Sequence, residues 1–206
     1  MLRGRTDASP EPRPTGSVDG FCLENGRAPE ATRTRHEQLL TVAAVIPALN
    51  AEACLGRTLA ALHGRVAAVL VADGGSTDAT PRIATAAGAR VIAAPRGRGP
   101  QLAAGAEAGA AAAPWLLFLH ADTIPGPGWA GAAARFMADP ANAGRAGYFR
   151  FALDDPAPQA RRLERWVARR CRWLALPYGD QGLLIHRDLY RAIGGFRPLP
   201  LMEGVG

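Results

Sequence analysis

The chemistry this chain can perform is concentrated in a few short stretches. Asp122 follows the apolar run Trp115–Leu119 directly, in Leu119-His120-Ala121-Asp122. A carboxylate just past a buried strand is well placed to hold a divalent cation on a diphosphate. Mg2+ and Mn2+ often take one or two carboxylates and leave the rest of their shell to substrate phosphates. The same residue serves equally as a turn or capping aspartate. Asp73 sits in Val71-Ala72-Asp73-Gly74-Gly75-Ser76-Thr77-Asp78. The glycines there let backbone approach a ligand closely, and the carboxylate can accept hydrogen bonds from a base or a ribose. A glycine-rich turn capped by aspartate explains the stretch as well. Arg96-Gly97-Arg98-Gly99-Pro100-Gln101 sets arginines among glycines beside a helix start. That suits a phosphate or sugar contact, and it also suits a solvated loop. It is not a dinucleotide fingerprint, because Gly97 and Gly99 lead to Leu102 rather than to a third glycine.

Elements that could position these residues are legible in the spacing of apolar positions. Val42 to Ile46 is a short apolar run ending at Pro47, a buried strand meeting a loop. Ala51 to Leu62 has Leu55, Leu59 and Leu62 on one helical face. Val66 to Ala72 is a second strand. Thr77 or Asp78 caps a helix with Pro81 in its first turn, and Gly88 stops it. Arg90 to Ala94 is a third strand, Leu102 to Ala113 an alanine-rich helix, and Trp115 to Leu119 a fourth strand. This alternation predicts an α/β fold, a mostly parallel sheet with helices on both faces. Ligands of such sheets sit at the carboxyl ends of the strands. The loops starting at Pro47, Asp73 and His120 all leave such ends, so they are expected to share one crevice.

Beyond residue 140 the pattern changes. Gly147 to Leu153 reads as an antiparallel strand, and Gln159 to Leu174 as a strongly basic helix with Leu163, Trp166, Val167, Trp173 and Leu174 on one stripe. That helix either packs against the domain with its arginines in solvent or touches anionic lipid. An apolar segment Leu183 to Ile185, a short helix to Ile193 and Gly194-Gly195-Phe196 follow. Residues 1–38, rich in Arg, Pro, Thr, Gly and Glu, read as a disordered tail, and 39–206 as one domain.

Composition narrows the chemistry. The 206 residues are 48% hydrophobic, with a net charge of +6. All 24 basic residues are arginine, which together with the heavy use of Ala, Gly and Pro reads as coding bias as readily as adaptation to a polyanion. Without lysine there is no Schiff base and no P-loop lysine. No nucleic-acid motif accompanies the basic helix, so nucleic acid is not an expected partner. A nucleotidyltransferase would place a glycine-rich loop after the first strand, where Val45-Ile46-Pro47-Ala48-Leu49-Asn50-Ala51-Glu52 stands instead. The cysteines Cys22, Cys54 and Cys171 are far apart and odd in number, which suggests neither a zinc site nor a disulfide framework. A cytoplasmic setting, with possible contact at the inner membrane face, is expected.

Taken in order, VIPALNAEACLGRTLAAL, VLVADGGSTDAT and GRGPQLAAGAEAGAAAAPWLLFLHADT resemble the opening of family 2 glycosyltransferases. LPYGDQGLLIHRDLYRAIGGFRPLPLMEGVG is similar to the subgroup called arsenosugar-biosynthesis glycosyltransferases. The resemblance implies a GT-A (Rossmann-like) fold that uses a nucleotide diphosphate sugar, a UDP- or GDP-sugar, with Mg2+ or Mn2+. It implies that Pro47, Ala48, Asn50 and Glu52 line the nucleotide end and that Asp73 contacts the base. Gly74 stands where many members carry a second aspartate. Arg98, Gly99 and Gln101 match the segment near the donor. Asp122 matches the last position of the DxD-like motif and would bind the metal–diphosphate, with His120 in place of its first aspartate. Asp180 and Gln181 fall in the subgroup's GDQG segment, at the acceptor or reaction centre. The family typically has Glu-Asp near Glu203-Gly204, the aspartate being the candidate base of an inverting displacement. The resemblance thus leaves Glu203 or Asp180 as the candidate base toward an unknown acceptor. The alternative is a truncated domain that binds donor without transferring it.

Overall fold

The computed structural model describes residues 20–23, 39–149, 157–159, 162, 164 and 182–196. Its elements run β1 (Gly20–Leu23), β2 (Leu40–Ala48), α1 (Leu55–Leu62), β3 (Val66–Asp73), α2 (Thr80–Ala86), β4 (Arg90–Ala93), α3 (Arg98–Ala112), β5 (Trp115–Phe118) and α4 (Trp129–Ala138). A 3-10 turn (Pro140–Gly144), β6 (Ala146–Phe149), β7 (Leu183–His186) and α5 (Arg187–Ala192) follow. The seven-stranded sheet has the order β1-β6-β7-β5-β2-β3-β4. β7 runs antiparallel to β5 and β6, and every other pairing is parallel.

The sheet is covered on both faces because β2 is apolar on both. Val42, Ala44 and Ile46 pack with α1 and α4, while Ala43 and Val45 pack with α3. A strand buried on two sides reads as a continuous hydrophobic run rather than an alternation. Pro47 lies within β2, one residue beyond the expected end. The Val45 carbonyl accepts from Leu119 N on the β5 side. Two residues on, Pro47 faces that same side, where β5 has already ended, so its missing N–H breaks no ladder bond.

Helix α3 starts at Arg98, four positions before the expected Leu102. Arg98-Gly99-Pro100-Gln101 is therefore the helix's first turn, not a loop beside it. Pro100 fits there because first-turn N–H groups have no intrahelical partner. Gly105 and Gly109 bring this helix onto the sheet. A Cβ on Gly105 would collide with Val45 Cγ1, and one on Gly109 would lie 3.0 Å from Leu116 Cδ2. The far end of α3 is tied down by Arg187, whose Nη1 donates to the Ala110 carbonyl at 3.0 Å.

The alanine-rich stretch after residue 125 hides an element the sequence reading passed over. Trp129, Ala132, Ala133 and Phe136 are the buried positions of α4, at spacings that place them on one helical face. Strand β6 ends at Phe149, and residues 150–153 of the expected strand lie outside the described residues. So does most of the expected basic helix, although Glu164 within it is buried. Strand β1 falls inside the segment read as a tail and pairs with β6. Among the described residues no helix is long and apolar enough to cross a membrane.

Gly194-Gly195-Phe196 has a packing explanation. Phe196 N donates to the Tyr190 hydroxyl at 3.0 Å, and the Phe196 ring meets Phe118 edge-on at 4.9 Å. Gly195, at φ +60°, lies so near the Tyr190 ring that a Cβ would come within 2.8 Å of it.

Candidate functional site

The chain reverses its direction of progress across the sheet between β2 and β5. From β2 it proceeds through β3 to β4 on one side, then returns to place β5 on the other. Loops leaving the carboxyl ends of β2 and β5 therefore part, and a crevice opens between them. An open cleft of about 390 Å³ occupies that place. Pro47, Ala48, Asn50, Arg98, Gln101, His120 and Asp122 all line it, so the structure gathers most of the expected site residues. Gly97 of the Arg96–Gln101 stretch lines it too, as do Leu49, Ala51, Cys54 and Ala121, which were not candidate site residues in the sequence. Glu52, Asp73 and Gly99 are not among the lining residues. Asp180, Gln181, Glu203 and Gly204 lie outside the described residues.

One wall is a clasp between two loops. Asn50, at φ +50°, offers Oδ1 to the N–H of Thr77 at 2.9 Å, and its own N–H donates to Ser76 Oγ at 2.9 Å. Asparagine tolerates this left-handed conformation better than most residues. Ala51 N donates to Thr80 Oγ1 at 2.7 Å. Glu52 Oε2 accepts from Ala79 N at 2.9 Å, and Glu52 N donates to Asp78 Oδ2 at 3.1 Å. The Glu52 carboxylate is thus engaged in holding the β3–α2 loop, and Asn50 both shapes the cleft and pins that loop. Burial raises the Asp78 carboxyl pKa, but hydrogen bonds from the Thr80 hydroxyl, the Thr80 N–H and the Glu52 N–H outweigh it and hold the group below the ordinary carboxylate value. Asp73 Oδ2 accepts from Gly75 N and Ser76 N, each at 3.1 Å, while its buried Oδ1 has no partner among the described residues.

The floor is Gln101, only 5% exposed. Its Nε2 donates to the carbonyls of Ala48 (2.7 Å) and Ala72 (2.8 Å), tying the ends of β2 and β3 together. Beside it Gly97, at φ +125°, precedes α3, which has no side-chain N-cap and no acidic residue in its first turn. Arg98, exposed at that helix start, adds a full positive charge to the partial charge of the helix N-terminus.

The opposite wall is the loop after β5. Thr123 N closes a turn onto His120 O at 3.2 Å, and the fully buried Thr58 of α1 donates its hydroxyl to Ala121 O at 2.8 Å. Asp122 is exposed at the cleft and His120 half-buried. The Cys54 thiol faces them from α1's start. Burial and the Asp122 charge raise its pKa, keeping it neutral. Among the described residues no group of three or more metal-ligating side chains assembles. Asp122 and His120 are the two side chains lining the cleft there that could hold a cation.

Residues 43–199 match the model of glycosyl transferase family 2. The chain belongs to this family. Among solved structures it is similar to mannosyl-3-phosphoglycerate synthase from Rubrobacter xylanophilus, with 19% identity and TM-score 0.53 over 72% of this chain and 54% of that one. It is also similar to glucosyl-3-phosphoglycerate synthase from Mycobacterium tuberculosis in complex with phosphoglyceric acid, with 23% identity and TM-score 0.51 over 83% and 65%. These likenesses support the GT-A architecture of the family 2 domain. The chain spans less than two thirds of the length of these synthases. No curated protein matches it.

Proposed function

We propose that this family 2 domain binds a nucleoside diphosphate sugar in the β2–β5 cleft and transfers the sugar to an acceptor with inversion, using Mg2+ or Mn2+. The observation that carries this reading is the pairing of opposite charges across one cleft. Arg98 and the uncapped start of α3 stand on one side, and Asp122 on the other. A diphosphate suits the first wall. By itself it would be repelled by the second, unless a cation stands between the carboxylate and the phosphates. Asp122 and His120 fit such a cation provided the phosphates complete its shell, as is common for Mg2+. Its chemistry there is to neutralise charge on the departing diphosphate. Arg98 would bind and orient the diphosphate, Pro47, Ala48 and Asn50 would border the nucleoside, and Asp73 would accept from the base. Asp180 or Glu203 would accept the proton of the acceptor hydroxyl. The segment 176–206 supports the arsenosugar-type subgroup as a narrower reading.

The test is calorimetric titration of UDP and GDP with and without Mn2+, on wild type and Asp122→Ala. One or both nucleotides should bind, more tightly with the metal, and the variant should lose the metal-dependent part. Metal-dependent binding that is identical in both proteins would sink the assignment of Asp122.

A further inference from the structure

Gln101 joins three ends of the fold at one buried point. Its side chain, in a residue only 5% exposed, donates through Nε2 to the Ala48 carbonyl at 2.7 Å and to the Ala72 carbonyl at 2.8 Å. Both partners can only accept, so the NH2 faces the strand ends and both of its protons are used there. The Ala48 carbonyl also accepts from Gly74 N at 3.0 Å. The ends of β2 and β3 and the first turn of α3 are thus tied through one amide group, with the backbone of Gly74 in the same knot.

Position 74 is cleared for that amide. A Cβ there would lie 2.9 Å from Gln101 Nε2 and 3.1 Å from its Cδ. The amide would have to move, and its two hydrogen bonds oppose the movement. Gly74 is buried, does not line the cleft and is not among the glycines of positive φ. Glycine is needed there for room rather than for backbone freedom.

The knot lies beneath the positive part of the cleft. Arg98 and Gln101 are three residues apart in α3, which makes them neighbours on one side of the helix, and both line the cleft. The helix starts after Gly97 without a side-chain cap. Uncapped ends fray, because first-turn N–H groups have no intrahelical partner. Gln101 fixes this turn from inside the protein instead.

We propose that Gln101, seated by the glycine at position 74, is a positioning residue for the diphosphate. It roots the first turn of α3 on the strand ends, so that Arg98 and the first-turn N–H groups meet the phosphates in one fixed arrangement. This rests on the reading of the cleft as a nucleotide site. Gly74→Ala is the cleanest probe, since position 74 touches no ligand in that reading and acts on the cleft through the Gln101 amide.

The experiment titrates UDP and uridine, with Mn2+ present, into wild type, Gly74→Ala, Gln101→Met, Arg98→Ala and the double variant Gly74→Ala/Arg98→Ala. Gly74→Ala and Gln101→Met should each weaken UDP several-fold and leave uridine as it was. Gly74→Ala should cost less in the Arg98→Ala background than alone, because part of its effect runs through Arg98. Hydrogen exchange gives a readout without ligand. In Gly74→Ala the N–H groups of Gln101, Leu102 and Ala103 should exchange faster, while those of Ala110 to Ala112 keep wild-type rates; a merely destabilised protein would speed both. An unchanged UDP affinity in Gly74→Ala overturns the proposal, as does an equal loss for uridine, full additivity with Arg98→Ala, or exchange that rises alike along α3. Failure of wild type to bind any nucleotide would instead remove the nucleotide reading, and the exchange pattern would still decide whether Gln101 roots the turn.

Discussion

The two walls of the cleft are built on different principles. The β2–β3 wall is knitted by reciprocal hydrogen bonds. Asn50 and Glu52 capture N–H groups of the 76–79 loop, and Ser76, Asp78 and Thr80 capture N–H groups of the 50–52 loop. The β5 wall is a short turn that Thr58 steadies through a carbonyl, with Asp122 exposed at its edge. A preorganised wall spends no binding energy on ordering and sets specificity. An exposed carboxylate on a turn can adjust to an ion whose other ligands arrive with the substrate. On the proposed reading the nucleoside would meet the knitted surface, and the cation accompanying the diphosphate would meet the adaptable one.

The sharpest way to break this comparison is at Asp122. Asp122→Ala should remove the metal-dependent part of UDP binding, a loss of about tenfold or more. Its thermal unfolding without ligand should stay near wild type, since the side chain is exposed. A large drop in stability would mean that Asp122 is a structural turn residue. Arg98→Ala should come next, weakening UDP by several-fold to about tenfold while leaving uridine unaffected, because the lost contact is to phosphate. If uridine weakens equally, Arg98 is not at the diphosphate.

Thr58→Val tests whether the β5 wall needs its one buried hydroxyl anchor. It should cost about 1–2 kcal/mol in denaturant unfolding, since a buried carbonyl loses its donor. It should also weaken Mn2+-dependent UDP binding a few-fold, and Thr58→Ser should restore both. A stability change with no effect on the metal term would confine Thr58 to packing. The smallest effect is expected from acid on the clasp. The folded Asp78 carboxyl titrates below its free value, so its contribution is present above the ordinary carboxylate range and is lost as pH falls through the lowered folded value. Unfolding measured from neutral pH downward should show a weaker acid dependence in Asp78→Asn than in wild type.

Much of this arrangement was legible in the chain itself. The run Val42–Ile46, the leucine face of α1 and the apolar block Trp115–Leu119 announced a parallel α/β sheet, because strands buried on two faces and amphipathic helices leave strong periodic signals. The meeting of the segments at Pro47 and His120 in one cleft was expected from sheet topology alone, whereas Asp73, expected beside them, is not among the residues that line it. Helix α4 was missed because alanine and glycine blur the contrast between its faces, and the start of α3 was placed late because Arg98-Gly99-Pro100 carries loop-like residues that a first turn also accepts. Only the tertiary structure could decide the roles of Glu52, Gln101 and Thr58. Glu52 and Asp78 meet across 26 residues, Gln101 and Ala48 across 53, and Thr58 and Ala121 across 63. A sequence pattern reports which residues share a local face. Which carbonyl a glutamine will find across the sheet depends on where distant strands come to an end.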